Sequence, residues 1–286
     1  MLKVFLKHPY IYSIAIVCLI CMIVAGILIY RHNNQFVTTY YEVKHATIGT
    51  EFDGYKIAQI SDFHNVGYNG TYDDIVAKLK EEQPDMIALT GDFIDRRTTD
   101  YTLAFDFAKE LVQIAPTYFV MGNHEGAAKE LDTVLQQLFD VGVVLLQDNS
   151  VLIARGEDHM VIAGISDPVC DKEITTDSRI QQALQYNVEN YPTILLSHRP
   201  ELFDVYYKYD ITLVMSGHAH GGQFRLPTGD GLFAPSQGWF PKYTEGVHVM
   251  NDTHLVISRG LGHSSFPFRI NNAPELVFIT LYQGNT

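Results

Sequence analysis

The chain has 286 residues, 47% hydrophobic, 12% aromatic and 19% charged, with 11 prolines and no low-complexity run, a composition that buries a core and excludes general disorder. Three cysteines, two inside an apolar run (Cys18 and Cys21) and one alone (Cys170), exclude a disulfide framework or a cysteine-rich zinc module. Formal net charge is -13 and none of the 33 acidic residues falls among the first 32, so the remainder repels polyanions and is no general nucleic-acid binder.

The first feature in chain order is apolar. Pro9 to Tyr30 carries no charge, and Ile11 to Tyr30 is apolar apart from Ser13 and Gly26, about the 20 residues a helix needs to cross the hydrocarbon of a bilayer. A buried soluble helix has a polar face, and this segment has none. Tyr10, Tyr12 and Tyr30 stand near its ends, where amphipathic rings prefer the interface. A cleaved signal peptide fits less well, because the run is long and no small-x-small site follows it. Lys3 and Lys7 precede the span and Arg31 and Lys44 follow it, a balance that slightly favours a cytoplasmic amino terminus and puts the rest outside. The expected organisation is a membrane anchor over 1–32, a tether over 33–39 and one catalytic domain over 40–286.

Beyond the tether, Tyr40 to Ile48 alternates as a strand, and a rhythm of strands and helices begins. Tyr55 to Ile60 predicts a strand closing on Ser61-Asp62-Phe63-His64, and Thr71 to Gln83 a helix capped by Thr71 and stopped by Pro84. Asp85 to Thr90 predicts a strand ending in Gly91-Asp92, Tyr101 to Ile114 a helix, Thr117 to Met121 a strand ending in Gly122-Asn123-His124, and Ala127 to Phe139 a helix. The second half is richer in strands, with helices expected from Asp177 to Asn187 and Glu201 to Tyr207. Strands alternating with helices imply parallel crossovers, whose sites lie outside the carboxyl ends of the strands. The reading is an α/β domain with two packed sheets.

Chemistry-bearing residues collect at those strand ends: Asp62-x-His64, Gly91-Asp92-x-x-Asp95-Arg96, Gly122-Asn123-His124-Glu125, Ser197-His198 and Gly217-His218-Ala219-His220. Carboxylate, amide and imidazole together suit borderline divalent metals such as Mn, Fe or Zn. Residues two apart in a strand share a face, so Asp62 and His64 can share a metal, as can His218 and His220. The neighbouring glycines let the backbone turn sharply after each strand.

These motifs resemble the calcineurin-like metallophosphoesterase superfamily, from about Tyr40 to Leu281, and Gly217 to Pro227 with Ser258 to Glu275 resembles its membrane-associated bacterial branch. The resemblance implies a four-layer α/β/β/α fold of two mixed sheets flanked by helices. It implies two divalent metal ions, one held by Asp62, His64, Asp92 and His220 and the other by Asp92, Asn123, His198 and His218, with Asp92 bridging. A hydroxide held between the two metals then attacks a phosphodiester or pyrophosphate. His124 assists the leaving group, Asp95 orients His124, Arg96 offers a fork for phosphate oxygens, and Glu125 caps the helix or supports the site.

His8 and His32 flank the apolar span, and His45, His159, His248, His254 and His263 lack ligand-type neighbours at this spacing; His263 lies in a family-like loop near the carboxyl end, where surface solvation is the expectation and lining of the site's mouth the alternative. Leu232, Phe233, Trp239, Phe240, Tyr243, Phe266 and Phe268 form an aromatic stretch that is either a packed hairpin or an apolar lip for a lipid-linked phosphoester. Some membrane-associated relatives cleave a lipid A precursor nucleotide, so a lipid-linked pyrophosphatase of the UDP-diacylglucosamine type is one alternative. The other is a membrane-anchored metal-binding module without turnover, against which the complete ligand set and His124 argue. No pattern specifies an oligomeric state.

Overall fold

The computed structural model describes residues 9–66, 72–187, 191–263, 266 and 268–284; Lys3, Lys7, His8 and the expected Thr71 cap lie outside them. The chain runs α1 (Pro9–Asn33), β1 (Val37–His45), β2 (Lys56–Ile60), α2 (Asp73–Glu82), β3 (Met86–Leu89), α3 (Thr102–Ile114), β4 (Thr117–Phe119), the one-turn α4 (Asn123–Gly126), α5 (Leu131–Asp140) and β5 (Val144–Leu145). It continues with β6 (Asn149–Arg155), β7 (Asp158–Gly164), α6 (Thr176–Leu184), β8 (Thr193–Leu196), the short α7 (Phe203–Tyr206) and β9 (Leu213–Ser216). The small strands β10 (Phe233–Ala234) and β11 (Gly238–Trp239) precede β12 (Gly246–Met250), β13 (Thr253–Ile257) and β14 (Glu275–Gln283).

Two six-stranded sheets form, in the orders β1-β14-β2-β3-β4-β5 and β12-β13-β9-β8-β7-β6. The crossovers from β2 to β5 are parallel, as the alternation of strand and helix predicts. β14 returns from the carboxyl end to insert between β1 and β2, antiparallel to β2. Its nine-residue register with β1, Val37↔Glu275 to His45↔Gln283, starts the first strand at Val37. Alternation alone suggested Tyr40; the partner strand sets the true start.

Three apolar interfaces make this a four-layer molecule. Ile57, Met86 and Val277 of the first sheet meet Ile162, Leu196 and Met215 of the second between the sheets. Ile75, Leu79, Phe107 and Leu111 of α2 and α3 cover the outer face of the first sheet, and Ile180, Phe203 and Tyr206 cover the second. Each fully buried Phe or Leu contributes about 1.5–3 kcal/mol relative to exposure, which ties these layers together and holds the strand ends in place.

The helix expected over Ala127 to Phe139 begins four residues later, and a separate one-turn helix, α4, precedes it. α4 ends at Gly126, where a Cβ would meet Cys170 Sγ at 2.6 Å, and the next helix starts at Leu131. The helix expected from Glu201 is a 3-10 turn followed by α7. α1 stands apart from all of this: its window Tyr12–Arg31 has mean hydropathy 2.8 and is 0% buried against the rest of the chain.

Candidate metal centre

The strand ends of both sheets converge at one edge of the sandwich. Asp62, His64 and His220 form one group and Asp92, His198 and His218 another, with the ligand atoms of each group within 4.8 Å of one another. In the first, His220 Nε2 lies 3.3 Å from Asp62 Oδ1 and 3.3 Å from His64 Nε2. In the second, His198 Nε2 lies 3.3 Å from Asp92 Oδ2 and 3.2 Å from His218 Nδ1. Asp92 Oδ2 is also 3.8 Å from His64 Nε2, so one carboxylate oxygen faces both groups. Asp92 Oδ1 is occupied by the His124 backbone N–H at 2.7 Å.

His218 and His220 fall in different groups, although their spacing alone would let them share a metal. The reason is local backbone geometry. Asp62, His64, Asp92, His218 and His220 all lie just past their strands with φ between +47° and +63°. The left-handed region costs about 1–2 kcal/mol for a non-glycine residue. Such strain persists only where the surroundings impose it, and it gathers at functional sites. The adjacent glycines mostly supply space rather than turns. A Cβ on Gly217 would run into Ser61 Oγ and Asp62 Oδ2, and one on Gly122 into Asp92. Gly91 does both: its φ is +90°, and a Cβ there would meet His198 Nδ1 at 2.6 Å.

Electrostatics favour a cation here. Burial keeps the rings of His64, His218 and His220 neutral, with His64 pushed down to about 3, so their lone pairs are available. Burial pushes Asp62 up to about 6. Burial also opposes charge on Asp92, yet the His198, His64 and His124 rings overcome it and hold its carboxyl well below the usual range. Burial likewise opposes protonation of His198, but the Asp92 and Asp62 charges push it up to about 10. A cation would supply the positive charge that Asp92 otherwise draws from that ring. His198 Nδ1 is 2.8 Å from the Thr90 carbonyl, a partner that holds the ring proton on Nδ1 and turns Nε2 inward. Asn123 Oδ1 is buried with no hydrogen-bond partner, as is His64 Nδ1. Paired imidazole nitrogens 3.2–3.3 Å apart, converging carboxylates and an orphaned amide oxygen fit divalent metal ions.

His124 sits beside the first group, its ring 4.4 Å centroid to centroid from that of His64. Its Nδ1 is flanked by the Arg96 backbone N–H at 3.2 Å and by Asp95 Oδ1 at 3.3 Å. The first suits a neutral ring with its proton on Nε2; the second suits the doubly protonated ring. Burial lowers its affinity for that second proton, against the pull of Asp92 and Asp95. The Arg96 side chain is exposed, and Arg97 grips the Asp95 carboxylate, at 2.6 Å to Oδ2 and 2.9 Å to Oδ1.

Further residues support the site, of which only Glu125 is legible in the sequence. Glu125 accepts backbone N–H groups from Gly122 at 2.8 Å, Asp92 at 2.9 Å and Ile94 at 3.0 Å, tying two ligand-bearing loops together; burial and the Asp92 charge push its carboxyl up to about 7. Arg199, held by Asp167, places Nη1 2.9 Å from His218 Nε2 and donates to Ser236 Oγ at 2.5 Å. Arg269 is 0% exposed, with Nη2 3.3 Å from His220 Nδ1. Arg199 had a faint signal, following His198 directly; Ser236 and Arg269 had none, because only the fold brings them near. Burial keeps His45, His248, His254 and His263 below the usual imidazole range.

Residues 55–222 match the model of the calcineurin-like phosphoesterases, and the chain belongs to that family. It is 30% identical over 266 residues to the uncharacterized metallophosphoesterase YkuE of Bacillus subtilis (strain 168), covering 90% of this chain and 89% of that one. It is 27% identical over 239 residues to the phosphodiesterase YaeI of Escherichia coli (strain K12), covering 79% and 82%. Thermus thermophilus sulfate thiohydrolase SoxB shares the fold, with a TM-score of 0.51 at 12% identity over 81% of this chain and 57% of that one. The protein is accordingly a metallophosphoesterase, a metal-dependent hydrolase of phosphoric esters.

Proposed function

We propose that this protein is a dinuclear metal-dependent hydrolase of phosphodiesters or pyrophosphates, anchored by its amino-terminal helix with the catalytic domain outside the cytoplasm. The observation that carries the reading is the position of Asp92 Oδ2, which faces His64 on one side and His198 on the other. Asp62, His64, Asp92 and His220 would hold one cation, and Asp92, Asn123, His198 and His218 the second; Mn, Fe and Zn all suit these donors. When bound, two such cations lower the pKa of water and withdraw charge from phosphoryl oxygens.

The remaining work belongs to the chain. His124 Nε2, the nitrogen not engaged by Asp95 or Arg96, hands its proton to the departing oxygen. Asp95 stabilises the charged form of the ring and is itself held by Arg97, while the exposed Arg96 orients the phosphoryl group. Glu125 keeps Asp92 and Asn123 in register by holding both loops. The diester preference draws support from the relative named a phosphodiesterase. The orientation draws support from Lys3 and Lys7 before the span.

Purified protein stripped of metal should hydrolyse bis(p-nitrophenyl) phosphate only when a divalent metal such as Mn is supplied. Stoichiometric metal with no hydrolysis of diesters, pyrophosphates or monoesters would favour the anchored module without turnover and overturn the reading.

A further inference from the structure

α1 does not simply precede the catalytic domain; its last residue is built into it. Asn33 is buried, its Nδ2 donating to the Arg269 carbonyl at 2.9 Å and its Oδ1 accepting the Arg269 N–H at 2.5 Å. That residue is flanked by Phe266, Phe268 and Ile270, whose side chains are 48%, 41% and 42% exposed. Asn33 lies two residues past Arg31, the end of the apolar span, about 3 Å along the helix axis. The interfacial zone of a bilayer is about 5–8 Å deep on each side, so these rings sit at its level.

Backbone pairing links this patch to a second one beside the metal centre. Phe224 packs on both Phe266 and Phe268, and its neighbour Arg225 donates its backbone N–H to Ile270 at 3.0 Å. Leu232 donates to the Phe224 carbonyl at 2.8 Å and leads into the β10–β11 hairpin. There Phe233 and Trp239 stack edge to face at 5.5 Å, and Trp239 and Phe240 are each 68% exposed. Ser236, at the turn of the same hairpin, has its Oγ 3.4 Å from His218 Nε2. Two clusters of exposed aromatic rings, joined by backbone pairing and beginning where a membrane helix ends, are placed for the headgroup interface.

We propose that Phe266, Phe268, Ile270, Phe233, Trp239 and Phe240 form a lip that seats in the bilayer interface beside α1, so that the metal centre opens at the membrane surface and takes lipid-linked phosphoesters. The inference rests on α1 spanning a membrane and on the hydrolytic reading above, but its test needs no turnover.

Trp239 is the single tryptophan of the chain, so its emission reports on the lip without labelling. Full-length protein is reconstituted in phosphatidylcholine vesicles, floated on a density gradient, and compared with vesicles of phosphatidylcholine brominated near the headgroup. The expected result is flotation, loss of Trp239 emission to bromine, and protection from aqueous acrylamide. Flotation with emission untouched by bromine and fully quenched by acrylamide overturns the lip and leaves the anchor standing. Protection from acrylamide without bromine quenching means protein covers the rings, a second copy of the chain, and also overturns the lip. Failure to float overturns the anchor and the lip together, while leaving metal-dependent hydrolysis to be judged by its own assay.

Discussion

Asp92 divides its two oxygens: Oδ1 accepts the His124 backbone N–H at 2.7 Å, and Oδ2 stands 3.3 Å from the His198 imidazole. One residue thus sets both the loop that carries His124 and the junction of the two ligand groups. Asp92→Ala should abolish binding at both metal positions and lower hydrolysis to background. Elemental analysis of the purified variant checks this, and retention of two metals per chain contradicts the bridging role.

His124 falls in a third group, with His64 and Asp95, outside the two that meet at Asp92, and its Nδ1 is already engaged. His124→Ala should keep full metal content and lose about 10²–10⁴-fold in turnover, the range for removal of a general acid. The loss should shrink for substrates whose leaving group needs no proton. A variant that lost metal instead would reassign the residue as a ligand.

Glu125 is fully buried and accepts three backbone N–H groups. Glu125→Ala leaves these donors without an acceptor in the protein and should cost about 3 kcal/mol or more of stability. Urea unfolding measures it, and a midpoint equal to that of the parent would mean that water replaces the carboxylate at no cost.

The rings of His45 and His254 lie 6.4 Å apart near the ends of β1 and β13. Burial lowers the proton affinity of both, and at His254 the neighbouring His45 charge adds to it. The unfolded chain, with imidazoles near 6.5, then binds more protons than the native one, so stability falls as pH drops below about 6.5 and is insensitive to these groups above it. Urea midpoints at pH 5 and pH 8 should differ less in His254→Gln than in the parent. An equal or larger difference would show that the pair does not contribute.

Much of this molecule is legible locally. The ligand motifs stand at strand ends because each strand is a short apolar run closed by Gly, Asp or His. That punctuation depends on a few consecutive residues, as at Ile60 to His64 and Leu89 to Asp92. The apolar anchor is equally plain, since the hydropathy of Tyr12 to Arg31 needs no partner to be recognised. Boundaries that depend on a distant strand were less accessible: β1 takes its start from β14, more than two hundred residues away.

Composition and motif spacing determined a divalent-metal ligand set, the two-sheet domain and the apolar helix, because strand period, turn residues and hydropathy are properties of neighbouring residues, while the resemblance those motifs carry implied phosphoester hydrolysis. Spacing alone left His218 and His220 free to share a metal; the left-handed backbone angles of the folded chain put them in different groups. The tertiary structure alone brought Arg269 under His220 and joined Asn33 to the loop beside the metal centre. Those pairings are contacts across the folded chain, set by shape and by the need of buried polar groups for partners, and they leave no periodic trace along it.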